Sequence, residues 1–240
     1  NRYVGDPAFV NVPLEQLLSQ EFADERACLI GPTAAVKPVA PGAPDGSYAP
    51  CAVPAALAEA RSAQEGLSTT HLTTWDRWGN VVAYTLTIEQ TGGSGIVVPG
   101  RGFLLNNELT DFNFTPTQGS AADPNLPAPG KRPRSSMSPT IVFEDGRPLL
   151  ALGSPGGASI ITTVLQTLLN RLDFGMSLPD AVAAPRGSQR NSAAGAQAEP
   201  EFYAAYGAAL AAAPYLQNFA SPLVEIGALT AIERQPDGQL

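Results

Sequence analysis

The stretch that indicates the fold most clearly is a pair of strand-like segments joined by a short turn. It reads Thr69-Thr70-His71-Leu72-Thr73-Thr74-Trp75, then Asp76-Arg77-Trp78-Gly79-Asn80, then Val81-Val82-Ala83-Tyr84-Thr85-Leu86-Thr87-Ile88. β-Branched and aromatic residues dominate both segments, and the turn contains Gly and Asn, so we predict a β-hairpin. The hairpin begins at a threonine and follows a run of flexible composition, Gln64-Glu65-Gly66-Leu67-Ser68.

Thr69 would become a new N-terminus if the bond between Ser68 and Thr69 were cut. It would then carry a hydroxyl nucleophile together with a free α-amine, which is a known way to supply a weak nucleophile with its own base. Hydroxyl pairs before apolar strands are common. The tripeptide Thr69-Thr70-His71 alone therefore does not separate a nucleophile from an ordinary start of a strand.

Composition favours one large domain or two small ones and argues against several kinds of partner. The 240 residues are 44% hydrophobic and 15% charged, with 23 Gly and 23 Pro, which is typical of a globular chain rich in turns. The net charge of −8 argues against a nucleic-acid partner. No run approaches the roughly 18 apolar residues of a membrane span, and no signal peptide is visible at Asn1.

Cysteine and histidine are scarce, which limits the chemistry that we expect. Cys28 and Cys51 could form a disulfide across the Pro-rich stretch between them, or remain two ordinary thiols. Because His71 is the only histidine, we expect no zinc site of the usual composition, and a Ser-His-Asp triad would need His71 as its base. A threonine that uses its own amine needs neither a histidine nor a cofactor.

Other patterns predict helices packed with strands. Leu14, Leu17, Leu18 and Phe22 have helical spacing and predict an amphipathic helix over residues 13–27. Residues 31–68 are crowded with Pro, Gly and Ala and indicate a mobile connector, and the turn at 235–238 should lead into a further strand. The remaining predicted elements are helices over residues 55–63, 160–172, 178–183 and 201–213 and strands over residues 140–143 and 149–152.

Five sequence blocks that occur in one order carry a family resemblance. They are Thr69-Thr70-His71, Leu105-Asn106-Asn107-Glu108, Asp111-Phe112, Arg132-Pro133-Arg134-Ser135-Ser136-Met137-Ser138-Pro139-Thr140 and Gly153-Ser154-Pro155-Gly156-Gly157. Together they closely resemble the gamma-glutamyltransferase (gamma-glutamyltranspeptidase, glutathione hydrolase) family, whose members are N-terminal-nucleophile hydrolases that cut their own precursor before a threonine. The resemblance runs from about Tyr3-Val4-Gly5-Asp6-Pro7 through Ala184-Pro185-Arg186 and continues more weakly to the end.

The resemblance implies an α+β fold, the αββα sandwich of N-terminal-nucleophile hydrolases, of which this chain would form a part. Residues 1–68 would be the C-terminal end of the large subunit and a linker, and residues 69–240 the small catalytic subunit, truncated at its C-terminus. The missing large-subunit segment would then be a partner. Without it, exposed sheet edges would favour association.

The same resemblance assigns the catalytic residues. Thr69 is the expected nucleophile both for self-cleavage after Ser68 and for substrate turnover. Thr87 would orient its hydroxyl, and the backbone N–H groups of Gly156 and Gly157 would stabilise the oxyanion. The alternative for Thr87 is a residue that simply suits a strand. The alternative for the glycine pair is a phosphate loop, which would need a Lys-Ser/Thr ending that is absent here.

The substrate-binding residues implied by the resemblance divide by charge. Glu89, Glu108 and Asp111 would hold the α-ammonium of a glutamyl group, whereas Ser135 and Ser136 would bond its α-carboxylate, with Met137 packing nearby. Exposed carboxylates are usually only solvated, and serines often just end a loop, so these alternatives stay open. Some family members carry an amide in place of Glu89 or Glu108.

Two departures from the family pattern concern substrate closure. The family arginine that pairs with the substrate carboxylate has no match at Arg2, Arg26 or Arg61. The loop over residues 113–130, at the family's lid position, contains no Tyr or Trp, which suggests an open or differently closed site.

The expected function is therefore self-processing γ-glutamyl transfer and hydrolysis of glutathione and related compounds through a Thr69 γ-glutamyl ester. Water, an amino acid or a peptide would resolve the ester. The alternatives are a cephalosporin (glutaryl) acylase on the same scaffold, or an incomplete, unprocessed chain without catalysis. Because family members are commonly exported, the resemblance implies a periplasmic or secreted location.

Overall fold

The computed structural model describes residues 1–49, 68–119, 121–191, 195–220 and 223–240. In chain order the elements are α1 (Leu14–Leu17), α2 (Gln20–Ala27), β1 (Thr69–Trp75), β2 (Val81–Thr87), β3 (Thr140–Glu144), β4 (Arg147–Gly153), α3 (Ile160–Leu168), α4 (Leu178–Ala183), β5 (Gly187–Ser188), β6 (Gln197–Ala198), α5 (Pro200–Phe202), α6 (Ala208–Ala211) and β7 (Thr230–Glu233). Short 3-10 turns at Glu108–Asp111 and Gly157–Ser159 and π-helical turns at Leu169–Asp173 and Tyr203–Gly207 complete the set.

The described elements stack in three layers. Strands β1 and β2 form an antiparallel hairpin, which packs on a three-stranded antiparallel sheet of order β3-β4-β7. Helices α3 and α4 cover the far side of that second sheet. This two-sheet arrangement with an outer helical layer agrees with the expected partial αββα sandwich.

The core lies between the middle sheet and α3. Leu150 and Leu152 of β4 are fully buried and pack with Ile160 and Val164 of α3 and with Leu229. Burial of side chains of this size stabilises a fold by about 1.5–3 kcal/mol each. This packing holds the start of α3, and with it the glycine loop that precedes the helix, against the sheet.

The opposite face of β4 meets the hairpin at Gly153. A Cβ atom added there would lie 2.3 Å from Cε1 of His71, a distance that no real Cβ contact allows. Glycine at this position therefore permits the close approach of β1 to β4. The approach places the start of β1, where Thr69 lies, beside the loop that follows β4.

The predicted hairpin is confirmed, and its register places Thr69 opposite Thr87 and His71 opposite Thr85. The turn is held by Asp76, whose Oδ1 accepts hydrogen bonds from the backbone N–H groups of Trp78 and Asn80, both at 2.9 Å. The Asn80 side chain donates to the other carboxylate oxygen at 2.7 Å. This side-chain bond, partly offset by burial and supported by the backbone bonds, lowers the pKa of the Asp76 carboxyl.

The helix expected over residues 13–27 is two helices. Ser19 interrupts it in an extended conformation, and its hydroxyl oxygen accepts a hydrogen bond from Phe22 N at 3.2 Å, which caps α2. Helix α4 has the expected bounds, and Ser177 caps it by accepting a hydrogen bond from Asp180 N at 3.3 Å. The helix expected over residues 160–172 is α3 followed by a π-helical turn, and the one over residues 201–213 is similarly divided.

Strand β7 was not predicted. The expected C-terminal turn is present, since Gly238 N donates to Gln235 O at 2.9 Å, but the strand precedes the turn. β7 has four residues, too few for a clear alternating pattern, and its pairing with β4 comes from a partner distant in sequence.

The described part of the expected connector is tied to the rest of the chain. The side-chain amide of Asn191 bonds both the N–H and the C=O of Val39, at 2.6 and 2.8 Å, and Lys37 Nζ donates to Gln217 at 2.8 Å. The helix expected over residues 55–63 lies outside the described residues. Cys28 is disulfide-bonded, and Cys51, the other cysteine of the sequence, lies outside the described residues.

An ion pair between the buried Asp6 carboxylate and the largely exposed Arg132 side chain joins the N-terminal segment to the region after the hairpin. Arg132 bonds Asp6 with its side chain at 2.8 and 3.1 Å and with its backbone N–H at 2.9 Å. The Asp6 side chain is 1% exposed. The Arg132 side-chain and backbone bonds hold the pKa of the Asp6 carboxyl well below its usual range.

Candidate active site

Thr69 lies at the first position of β1, and its hydroxyl donates to the hydroxyl of Thr87 at 3.0 Å. The Thr87 oxygen also accepts a hydrogen bond from Glu89 N at 2.8 Å. Two donors therefore fix the position of the Thr87 oxygen, and this in turn fixes the rotamer of Thr69. The pairing is a direct result of the hairpin register, which sets the two residues opposite each other.

The peptide bond before Thr69 extends the hairpin ladder by one residue. Ser68 N donates to Glu89 O at 3.2 Å, and Ile88 N donates to Ser68 O at 3.3 Å. The Thr87 hydroxyl lies 3.4 Å from the same Ser68 oxygen and can donate to it. Two donors thus point at the one carbonyl that a Thr69 nucleophile would attack in the uncut chain.

Glu89 is buried directly after β2, at 5% exposure, in a left-handed conformation with φ of 69°. Its carboxylate accepts a hydrogen bond from the Asn107 side chain at 3.1 Å, while Asn107 Oδ1 accepts one from Gln90 N at 3.1 Å. In the sequence, Asn107 is recognisable only as part of the motif Leu105-Asn106-Asn107-Glu108. Its contact with a predicted ammonium ligand makes it a supporting residue that sequence reasoning missed.

Most of the predicted site residues line one small cavity of about 20 Å³. The cavity brings together the threonine predicted as nucleophile, three carboxylates and two serines that are far apart in sequence. Gly156 is next to this lining, in the turn that leads into α3. The lining residues are Thr69, Thr87, Glu89, Glu108, Asp111, Ser135, Ser136, Met137, Gly157 and Ile160.

The serine pair and the glycine pair are in direct contact. The Ser136 hydroxyl donates to Gly157 O at 2.9 Å, and Ser135 Oγ accepts a hydrogen bond from Met137 N at 3.2 Å. Gly156 has φ of 136°, and a Cβ atom there would lie 2.9 Å from Ser159 Oγ. This backbone requires glycine, and the Ser159 hydroxyl further fixes it by donating to Gly156 O at 2.7 Å.

His71 lies on the same strand as Thr69 and is buried, but its ring bonds other residues. Nδ1 lies 2.6 Å from the Thr85 hydroxyl and Nε2 lies 3.0 Å from the Thr73 hydroxyl. Burial lowers the pKa of His71. These contacts fit a neutral histidine that joins the hairpin strands to each other, and the Thr69 hydroxyl bonds Thr87 instead of His71.

The expected lid loop has a polar, buried base. Asp123 accepts hydrogen bonds from the backbone and hydroxyl of Thr117 at 2.9 and 2.8 Å and from the Asn113 side chain at 3.0 Å. Burial acts to raise the pKa of the Asp123 carboxyl, but these bonds and one from Asn125 N outweigh it, so the pKa is lowered. The loop is therefore anchored by an ionised carboxylate.

Arg2 and Arg26 both bond groups elsewhere in the described part of the chain. Arg2 donates to Gln118 at 3.2 Å, Arg26 donates to the carbonyl of Ala40, and Arg61 lies outside the described residues. In the part of the chain that the structure describes, no group of three or more His, Cys, Asp or Glu side chains could hold a metal ion. Among those same residues, no helix is long and apolar enough to cross a membrane.

Two stacked antiparallel sheets, an outer helical layer and a threonine at the first position of a hairpin strand define the class of N-terminal-nucleophile hydrolases. The family model described as gamma-glutamyltranspeptidase matches residues 1–240. The chain belongs to this family.

Individual relatives agree with the family match. The glutathione hydrolase proenzyme of Bacillus subtilis (strain 168) is 48% identical over 184 residues, which are 77% of this chain and 30% of that protein. A mutant gamma-glutamyltranspeptidase from Helicobacter pylori is similar in structure, with a TM-score of 0.62 and 38% identity over 70% of this chain and 94% of that one. The cephalosporin acylase from Bacillus halodurans has a TM-score of 0.75 and 28% identity over 98% of this chain and 38% of that one. The chain spans less than a third of the curated relative's length.

Proposed function

We propose that this chain carries the catalytic centre of a self-processing enzyme that transfers and hydrolyses γ-glutamyl groups, with glutathione-like compounds as donors. One observation carries the proposal. Thr69, the acidic residues Glu89, Glu108 and Asp111 and the serines Ser135 and Ser136 line a single cavity. A glutamyl group presents an ammonium and a carboxylate on one carbon, so carboxylates and hydroxyls that line one cavity offer it matching partners.

Self-cleavage would begin with attack of Thr69 Oγ on the Ser68 carbonyl carbon. The resulting oxyanion would lie beside Ile88 N and the Thr87 hydroxyl, which are 3.3 and 3.4 Å from the Ser68 oxygen. When the C–N bond breaks, the nitrogen of Thr69 takes the proton given up by the hydroxyl, and an ester remains. Water then hydrolyses the ester to a Ser68 carboxylate and a Thr69 with a free amine.

Turnover would use the same hydroxyl with the new amine as base. An α-amine has an ordinary pKa of about 7.7–8.0, so a useful fraction is neutral near pH 7.5. Thr69 Oγ attacks the γ-carbonyl, the amine takes its proton, and the oxyanion lies at the Gly156 and Gly157 backbone N–H groups. The leaving amine receives the proton, and a γ-glutamyl ester of Thr69 forms. Water, an amino acid or a peptide amine then resolves this ester.

Substrate orientation would depend on charge. The three carboxylates attract the α-ammonium, and the Ser135 hydroxyl donates to the α-carboxylate. The Ser136 hydroxyl would also donate to it after turning away from Gly157 O. In this proposal residues 1–68 end the large subunit and residues 69–240 form the small subunit, and a large-subunit segment outside this chain supplies an arginine for the carboxylate. The proposal includes a periplasmic or secreted location for the protein.

A glutaryl acylase is the second candidate, favoured by the structural likeness to the cephalosporin acylase. A glutaryl group has no α-ammonium. Three carboxylates at the cavity would then have no cation to bind, so the acidic set favours the glutamyl substrate. A chain that remains uncut and inactive is the third candidate.

Electrophoresis with N-terminal sequencing tests the processing step. We expect pieces of 68 and 172 residues from the 240-residue chain and a new N-terminus at Thr69. Thr69→Ala should abolish the cut, whereas Thr70→Ala, at the neighbouring exposed position of β1, should leave it intact. Faster release of chromophore from a glutaryl anilide than from a γ-glutamyl anilide would contradict the proposed substrate. An intact chain that hydrolyses the γ-glutamyl anilide would refute the amine as base.

A further inference from the structure

Asn125 is a fully buried polar residue in the loop that precedes the serine pair, with 0% of its surface exposed. A buried amide destabilises a fold unless its donor and acceptor are both bonded. The partners of Asn125 therefore indicate why the position holds an asparagine.

The side-chain amide of Asn125 connects two segments that carry proposed glutamyl-binding residues. Nδ2 donates to the carbonyl oxygen of Asp111 at 2.6 Å, and Oδ1 accepts a hydrogen bond from the backbone N–H of Arg134 at 2.9 Å. Asp111 is a carboxylate of the cavity, and Arg134 directly precedes Ser135. One side chain thus joins the backbone of the segment that contains Asp111 to the backbone of the segment that contains the serine pair.

The backbone of Asn125 is also held on both sides. Its N–H donates to Asp123 Oδ1 at 3.0 Å, and its carbonyl accepts a hydrogen bond from Asn113 N at 3.0 Å. The Asp123 carboxylate in turn bonds Thr117 and the Asn113 side chain. Because these bonds fix the backbone at residue 125, the amide of Asn125 has a defined position from which to hold Asp111 and Arg134.

We propose that Asn125 is a positioning residue that sets the spacing between the ammonium-binding Asp111 and the carboxylate-binding Ser135 and Ser136. The inference rests on the proposed function. An amide places a donor and an acceptor at one end of a short side chain, which is what an Asp111 carbonyl and an Arg134 N–H together require. Aspartate would set a carboxylate oxygen against the Asp111 carbonyl, and alanine would leave both backbone groups without this partner.

The expected effect is on substrate binding. A shift of about 1 Å in a positioning group can reduce activity on the order of 100-fold, so losing this spacing should raise the KM for a γ-glutamyl anilide roughly 10- to 100-fold. A glutaryl anilide lacks the ammonium that Asp111 would bind, and its KM should rise less. Self-cleavage at Thr69 involves no bound glutamyl group and should proceed as in the wild type.

The experiment compares Asn125→Asp and Asn125→Ala with wild type in the complete protein, using the fraction cut at Thr69 to count competent molecules. The matched control is Asn191→Asp, since Asn191 also bonds a backbone N–H and C=O, those of Val39, with its amide. We expect a raised KM for the γ-glutamyl anilide and a reduced γ-glutamyl over glutaryl preference in both Asn125 variants, with kcat per cut molecule changing less. Asn191→Asp should keep the wild-type KM and preference.

Three outcomes overturn the inference. An unchanged KM in a processed Asn125 variant removes the positioning role, and an equal rise in Asn191→Asp shows a general loss of structure. If both Asn125 variants fail to self-cleave while Asn191→Asp is cut, Asn125 serves folding and not substrate spacing. Failure of the proposed function has a different signature. In that case the wild-type protein is cut at Thr69 but releases no chromophore from the γ-glutamyl anilide.

Discussion

The hydroxyls of Thr69 and Thr87 lie 3.0 Å apart across the open end of a two-stranded hairpin, with Thr69 as the donor. Replacing Thr87 by valine keeps the shape and removes the acceptor, so the rotamer of Thr69 is no longer fixed. We expect Thr87→Val to lower kcat for the γ-glutamyl anilide roughly 100-fold. Thr74→Val, at an exposed position of β1, should change it little. Equal losses in both variants would indicate damage to the hairpin instead.

Gly156 should tolerate no side chain. At φ of 136° a β-carbon is strained by about 1–3 kcal/mol, and it would also press on Ser159 Oγ at 2.9 Å. Gly156→Ala should therefore lower the midpoint of thermal unfolding and remove most turnover, because the proposed oxyanion donors move. Gly175→Ala is the control, since Gly175 also has a positive φ of 68° but open space around it. Full activity in Gly156→Ala would exclude this turn from the oxyanion site.

The single histidine should make stability depend on pH. Burial lowers the pKa of His71 in the folded chain below its ordinary value of about 6.5, so the unfolded chain binds the proton first. Stability from this group is complete above pH 6.5 and is lost as pH falls through the lower, folded pKa. Urea unfolding between pH 7.0 and 5.5 measures the slope. His71→Gln should be less stable overall but should lack this slope, and an unchanged slope would assign it to other groups.

The Asp6–Arg132 pair should hold the two cleavage products together. Asp6 belongs to the segment before Thr69 and Arg132 to the one after it, and their three hydrogen bonds would persist once the chain is cut. Asp6→Asn removes the charge, so the pieces should separate at lower urea on size-exclusion chromatography. Asp45→Asn, an exposed residue of the same segment, should behave as wild type. Co-elution of the Asp6→Asn pieces up to the wild-type urea concentration would argue against this role.

Local patterns predicted the fold where a segment carries its own signal. The β1–β2 hairpin has β-branched residues on both sides of a turn, and α4 has a serine cap before a helical segment. The helix break at Ser19 was not predicted, because it depends on a side-chain cap that apolar spacing does not reveal. The four-residue strand β7 was not predicted, because it depends on pairing with the distant strand β4. The π-helical turn after α3 was also not predicted, since its sequence differs little from that of an α-helix.

The site residues came from ordered motifs, and the roles given to them remain proposals. The motifs did not reveal the residues that hold the predicted site residues in place. Asn107 reaches Glu89 across 18 positions, and Asn125 reaches Asp111 across 14. No periodic pattern in the sequence predicts either contact, because each depends on where two loops meet after folding. A buried asparagine in a Pro-rich loop is visible only once its four partners are known.

The backbone bonds of Ser68 have a further consequence for how the chain is protected. A foreign protease grips its substrate as an extended strand with free N–H and C=O groups. Both groups of Ser68 are already hydrogen-bonded to Glu89 and Ile88. Another protease would therefore have to break these hairpin hydrogen bonds before it could cut at this position. Thr69 needs no such access, because it is built into the same strand. Self-cleavage would then depend on formation of the hairpin and not on a second enzyme.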